Sequence, residues 1–145
     1  MTELTVLAVD GRQSRELRRT VLRPHLAAEA FLPGDDLPQA IHLGAFDGPS
    51  LVSTCLVFAE TCRWQPTRPA WRLRSMATDP AARGTGAGRA VLRAAAATAR
   101  QHGAELLWCE AREDAVGFYQ RCGWQLHGER FTTDFGPHRY MWIDL

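Results

Sequence analysis

Three glycines at alternate positions, Gly84, Gly86 and Gly88, stand between two arginines in the run Arg83-Gly84-Thr85-Gly86-Ala87-Gly88-Arg89. Glycine takes positive φ freely and lets a ligand approach the backbone with no Cβ in the way. A segment with helical spacing, rich in Ala, Leu and Arg, begins at Gly86. The turn therefore opens onto the positive end of a helix dipole and its unpaired first amides. Such a place binds phosphate, and Arg83 and Arg89 add fixed charge with forked donors. A P-loop needs Gly-Lys-Ser/Thr here, but Gly88-Arg89-Ala90 stands instead. The dinucleotide pattern G-x-G-x-x-G fails too, because its third glycine would fall on Arg89 or Val91. Taken alone, the turn reads equally as a diphosphate cradle and as a connector that packs a helix onto a strand.

A second group of residues lies at Ala115-Val116-Gly117-Phe118-Tyr119-Gln120-Arg121-Cys122-Gly123-Trp124. On a helix, Ala115, Phe118 and Cys122 share the inward face. Tyr119 lies beside that face and can point into a cleft. A phenol there can act as a general acid, or it can serve as a core tyrosine with a satisfied hydroxyl. His138 is the first choice of a general base, since imidazole titrates near neutrality, with a surface or strand-end histidine as the alternative; Glu110, Glu29 and Glu16 are the other candidates. Cys55, Cys62, Cys109 and Cys122 form no C-x-x-C pair and no metal spacing. None lies next to a helix start or an activating base, which argues against a thiolate nucleophile. They read as reduced thiols, with Cys55 and Cys109 inside strands.

The elements that must position these groups follow from periodicity and punctuation. Strands are predicted over 4–10, 41–46, 51–59, 71–78, 105–110, 124–131 and 138–145. Helices are predicted over 13–22, with Ser14 as a candidate N-cap, over 86–102 with Gly103 as terminator, and over 114–121 with Gly123 as terminator. Residues 26–38 read as irregular with room for a second short helix. Asp47-Gly48-Pro49-Ser50 reads as a hairpin turn. The strand–helix–strand unit over 71–110 needs a crossover, so its two strands can be parallel neighbours. The sum is a mixed α/β sheet.

At 145 residues the chain suits one domain over 1–145, and a net charge of +1 gives no argument for a nucleic-acid or membrane partner. No apolar run approaches the roughly 20 residues that span a bilayer. Met1-Thr2-Glu3-Leu4-Thr5 lacks the regions of a signal peptide, so a cytoplasmic address is expected.

The turn resembles the R-x-x-G-x-G signature of the Gcn5-related N-acetyltransferase (GNAT) superfamily. Residues 115–124 resemble its A-x-x-F-Y-x-x-x-G-F pattern, with Trp124 in the last place. The resemblance implies a seven-stranded, mostly antiparallel mixed sheet flanked by about four helices, with the fourth and fifth strands splayed around acetyl-coenzyme A. It implies that Arg83, Gly84, Thr85, Gly86, Ala87, Gly88 and Arg89 hold the pyrophosphate. Met76, Ala77 and Thr78 would meet the pantetheine arm through their backbone. The Met76 amide would also polarise the thioester carbonyl, and Tyr119 would act as the acid. Arg112 stands where the family often has an Asn that touches the coenzyme. The implied activity is acetyl transfer to a primary amine of a metabolite, an antibiotic or a protein, by direct attack in a ternary complex and with no metal. Arg18-Arg19-Thr20-Val21-Leu22-Arg23-Pro24 is similar to a string in some bacterial members, and the first helix with the loop to Pro38 would wall the acceptor site. Two rival readings are a non-catalytic acyl-coenzyme A sensor of the same fold and an unrelated phosphate-ligand protein. The resemblance leaves open whether the chain is a monomer or a homodimer.

Overall fold

The computed structural model describes residues 3–145; Met1 and Thr2, part of the segment read above for a signal peptide, lie outside it. The elements run β1 (Leu4–Val9), α1 (Gly11–Leu22), β2 (Ile41–Asp47), β3 (Ser50–Ala59), β4 (Ala70–Thr78), α2 (Ala87–Gln101), β5 (Leu106–Arg112), α3 (Val116–Arg121), β6 (Gln125–Thr133) and β7 (Gly136–Asp144). Short 3-10 turns occupy Pro80–Ala82 and Glu113–Ala115. All seven strands join one sheet in the order β1-β2-β3-β4-β5-β7-β6. Only β4 and β5 are parallel, as the crossover through α2 requires.

The central strands are buried on both faces. On β5, Leu107, Cys109 and Ala111 enter the main core with Val91, Leu92, Ala95 and Ala99 of α2. The alternate residues Leu106 and Trp108 face a second cluster with Cys62. This period-two split fixes the register, since a slip of one residue would exchange the faces. The cysteines follow it: Cys55 and Cys109 lie buried in strand interiors, and the chain's four thiols are free.

The glycine terminators act as the sequence predicts. Gly103 and Gly123 have φ of 87° and 89°, which favours glycine. Each ends its helix with a Schellman pair: Ala104 to Ala99 and Gly103 to Arg100 for α2, Trp124 to Tyr119 and Gly123 to Gln120 for α3.

Two expectations need correction. Ser14 does not cap α1. Asp10 does, accepting from the Arg12 amide while the Gln13 side chain returns to the Asp10 amide. Ser14 is buried in the helix and accepts from Arg18 Nε at 3.1 Å. The second short helix within 26–38 is also absent, so three α-helices and two 3-10 turns flank the sheet in place of about four helices. That segment folds into turns around Asp35. Its carboxylate accepts from the Leu32 amide and pairs with Arg15 and Arg18 of α1, a local alternative that competes with helix. Gly34, at φ 99°, presses on Leu56: a Cβ there would sit 2.5 Å from Leu56 Cδ2. No described helix is long and apolar enough to cross a membrane.

Candidate active site

The parallel pairing of β4 and β5 ends at Arg72 opposite Trp108. Both strands continue, to Thr78 and Arg112, and a groove opens between their unpaired ends. A cleft of about 310 Å³ occupies it, lined by residues 73–76 of β4 and 109–112 of β5. β4 also carries a bulge: Ser75 and Met76 together stand opposite Cys55 alone, with Ser75 at φ 55°. The bulge leaves Met76 with no register partner on β3.

The glycine turn lies where β4 gives way to α2. Gly86 caps the helix in the left-handed region at φ 90°, and Gly84 has φ 78°. Arg83 and Thr85 turn their amides back to Pro80 and Ala82 at 3.4 and 3.3 Å. Among the described residues, the amides of Gly84, Gly86, Ala87, Gly88 and Arg89 find no protein acceptor. A Cβ on Gly84 or Gly86 would meet nothing within 4 Å, so the space over the amides is open. Gly88 is different. A Cβ there would come within 3.0 Å of Thr78 Oγ1 and 3.4 Å of Met76 Cε and Phe118 Cε1. Its missing side chain lets the helix start seat against β4 and α3. Thr78 is itself held by Ser53, Oγ to Oγ1 at 2.8 Å. Arg83 and Arg89 are exposed beside the turn.

Tyr119 lines the cleft and is 4% exposed. The Schellman motif of α3 places it. The Trp124 amide bonds the Tyr119 carbonyl at 3.0 Å, and the two rings pack with centroids 5.1 Å apart. Phe118 closes the other side edge-on. Burial, with Cys109 close by, pushes the phenol well above its ordinary value, so it is a neutral donor. Burial likewise raises the Cys55 and Cys109 thiols to about 12, which leaves neither available as a thiolate.

His138 reaches the same cleft from β7 and is 7% exposed. Its Nδ1 lies 2.9 Å from the Gly136 carbonyl and 3.2 Å from Thr133 Oγ1. A carbonyl can only accept, so Nδ1 carries the proton and Nε2 is left as the acceptor. Of the other base candidates, Glu110 lines the cleft but pairs with Arg63 and Arg72 at 3.1 and 3.4 Å. Glu16 pairs with Arg19 on α1, where Arg19 holds its carboxyl below the usual range. Glu29 lies away from the cleft, in the turns after α1. Arg112 lines the cleft and donates from Nη2 to the Leu22 carbonyl at 2.8 Å, at the end of α1.

Sequence reasoning missed two cleft groups. Arg74 faces it from β4, and Phe135 from the β6–β7 turn with Arg23 stacked on its ring at 3.5 Å. The signal for Arg74 was present: Arg72 and Arg74 are two apart on a strand and share a face. For Phe135 there was none, because its partner is 112 positions away.

The profile of the Acetyltransferase (GNAT) family matches residues 12–124. The uncharacterized N-acetyltransferase YitI of Bacillus subtilis (strain 168) is 30% identical over 144 residues, 98% of this chain and 97% of YitI. Among solved structures, FeeM, an N-acyl amino acid synthase from uncultured soil microbes, superposes with a TM-score of 0.79 at 14% identity, over 99% of this chain and 92% of that one. An aminoglycoside 6'-N-acetyltransferase complexed with coenzyme A gives 0.72 at 13% identity, over 97% and 96%. The family profile covers more than half of the chain and the YitI match nearly all of it, and the chain belongs to the GNAT family of acetyltransferases.

Proposed function

We propose that this chain transfers the acetyl group of acetyl-coenzyme A to a primary amine by direct attack in a ternary complex. One observation carries the reading. Five amides at the turn into α2 have no protein acceptor among the described residues, and Gly88 of that turn packs on Met76 and Phe118, which line the cleft that also holds a neutral phenol and an imidazole.

Gly84, Gly86, Ala87, Gly88 and Arg89 grip the diphosphate through main-chain amides and the helix dipole, and Arg83 and Arg89 add their guanidiniums, while the Arg83 and Thr85 amides stay on Pro80 and Ala82 and shape the turn. Met76, Ala77 and Thr78 present strand backbone to the pantetheine arm, as an added strand edge would. The thioester supplies an activated acyl carbon. The Met76 amide polarises its carbonyl oxygen. His138 Nε2 takes a proton from the ammonium of the acceptor, and the freed nitrogen attacks. The C–N bond forms as the C–S bond breaks. Tyr119 gives its proton to the departing sulfur and is reprotonated from the amine nitrogen, through water. The products are an N-acetyl amine, free thiol and one proton.

The test is thiol release from acetyl-coenzyme A across a panel of amines. Amine-dependent release is expected. Saturable binding of acetyl-coenzyme A with no release for any amine would point to the sensor instead.

A further inference from the structure

The cleft has a second charged end that the transfer chemistry does not use. Arg23, at the C-cap of α1, is 9% exposed, and its guanidinium carbon lies over the Phe135 ring. It gives one donor to the Leu22 carbonyl at 3.0 Å, the same carbonyl that Arg112 takes from the other side. Arg74 joins them from β4, half-buried, and makes no side-chain hydrogen bond or ion pair among the described residues. Two carboxylates line the same cleft. Glu110 is taken by Arg63 and Arg72, and Arg72 is taken again by Glu60 at 2.9 Å. Asp134 is exposed on the β6–β7 turn and pairs with no cation among the described residues. Arg23, buried, and Arg74 and Arg112, half-buried, therefore line one cleft without a carboxylate in contact. Burial lowers Arg23, and its two companions lower it further; burial and Arg72 lower Arg74 against the more distant pull of Glu110, Glu60 and Asp36. Like charges partly withdrawn from water with no carboxylate in contact are costly. The arrangement is relieved when an anion arrives, and forked guanidiniums suit a carboxylate or a phosphate.

The anion cannot be the diphosphate held at the turn. The guanidiniums gather at the end of α1, beside Leu22 and Pro33, whereas the turn lies at the start of α2. Tyr119, Met76 and His138 line the same cleft as the three guanidiniums. Resting on the acetyl transfer proposed above, we propose that the acceptor is a small primary amine bearing its own anionic group, carboxylate or phosphate, held by Arg23, Arg74 and Arg112. This takes Arg112 away from the coenzyme, where the family resemblance had put it.

The experiment uses matched pairs: each amino acid beside its primary amide, and phosphoethanolamine beside ethanolamine. Acetyl-coenzyme A binding is measured first by calorimetry, and thiol release second. At least one anionic member should exceed its neutral partner by about 30-fold or more in kcat/KM, the scale set by leaving a charged hydrogen-bonding site unpaired. The amino-acid and phosphoethanolamine arms tell the two anions apart. In Arg74→Gln the preferred anionic amine should fall by about tenfold or more through KM, with acetyl-coenzyme A still bound as proof of the fold. Arg74 carries no internal bond to lose, so the variant should fold. Equal rates within every accepted pair, a preference unchanged in Arg74→Gln, or no release from any pair by a protein that binds acetyl-coenzyme A would each overturn the inference. Failure to bind acetyl-coenzyme A at all would instead overturn the transferase reading on which it rests, and the inference with it.

Discussion

Gly86→Glu separates the fold from the phosphate site. Gly86 sits at φ 90°, and a Cβ there has no neighbour within 4 Å. The backbone strain of an L-residue in that region is roughly 1–2 kcal/mol. For a chain of this length each kcal/mol lowers Tm by roughly 2–4 °C, so the fold should survive with a drop of about 2–8 °C. Binding should suffer far more. The glutamate carboxylate competes for the five unpartnered amides and repels the diphosphate. Losing two charge-assisted hydrogen bonds at roughly 1.5–3 kcal/mol each amounts to about 3–6 kcal/mol, or about 100- to 10,000-fold in affinity. Gly86→Ala is the control, because it carries the same strain without the charge. Calorimetry with coenzyme A and thermal melts of all three proteins give the comparison. If Gly86→Glu melts lower yet binds coenzyme A within threefold of the parent, the amides do not hold the phosphates.

Tyr119→Phe should lower kcat by about 100-fold or more, the scale of a lost general acid, with little change in coenzyme A affinity; an unaltered kcat in steady-state assays would remove the phenol from the reaction. His138→Ala should lower kcat/KM, and an unchanged value assigns the base to water or to another group. Stability should fall on the alkaline side. Cys55 and Cys109 titrate at about 12 in the folded chain against an ordinary value of 9.0, and Tyr119 is raised in the same sense. A raised value gives stability that is complete below the unfolded value and lost as pH climbs toward the folded one. Urea unfolding between pH 8 and 11 should therefore show a loss on the order of a few kcal/mol; a flat profile would mean that these groups are less buried than the fold places them.

The elements most legible in the sequence were those whose signals are local. A period-two run marks β4, a short apolar run marks β5, the alanine stripe marks α2, and Gly103 and Gly123 end their helices where predicted. Ser14 misled because a serine near a helix start looks like a cap, whereas Asp10 with Gln13 completes the reciprocal pair three residues apart. The segment 26–38 misled for a different reason. Its structure depends on Arg15 and Arg18 reaching across to Asp35, a tertiary choice that no local window contains. The bulge at Ser75 and Met76 was equally hidden, since nothing in those residue types announces a positive φ at Ser75.

The two halves of the cleft differ in how a sequence can encode them. The proposed coenzyme half is built from backbone: amides of Gly84 and residues 86–89, the unpaired edge of β4, and a tyrosine aimed by the glycine that ends α3. Backbone sites constrain residue type through φ and close approach, so they write themselves as glycines at fixed spacing. The acceptor half is built from side chains on α1, β4, β5 and the β6–β7 turn, brought together only by the fold. The side chains of Arg23 and Phe135 can change without disturbing any glycine or strand period that makes the chain foldable, since Arg23 caps α1 through its backbone amide. On the proposed reading, a chain of this architecture can therefore keep its phosphate grip and its leaving-group acid while exchanging the guanidiniums proposed to choose the amine. Substitutions at Arg23, Arg74 and Phe135 should accordingly move acceptor preference while leaving coenzyme A affinity within a few-fold, because the amides of the turn belong to a separate element and share no hydrogen bond with them.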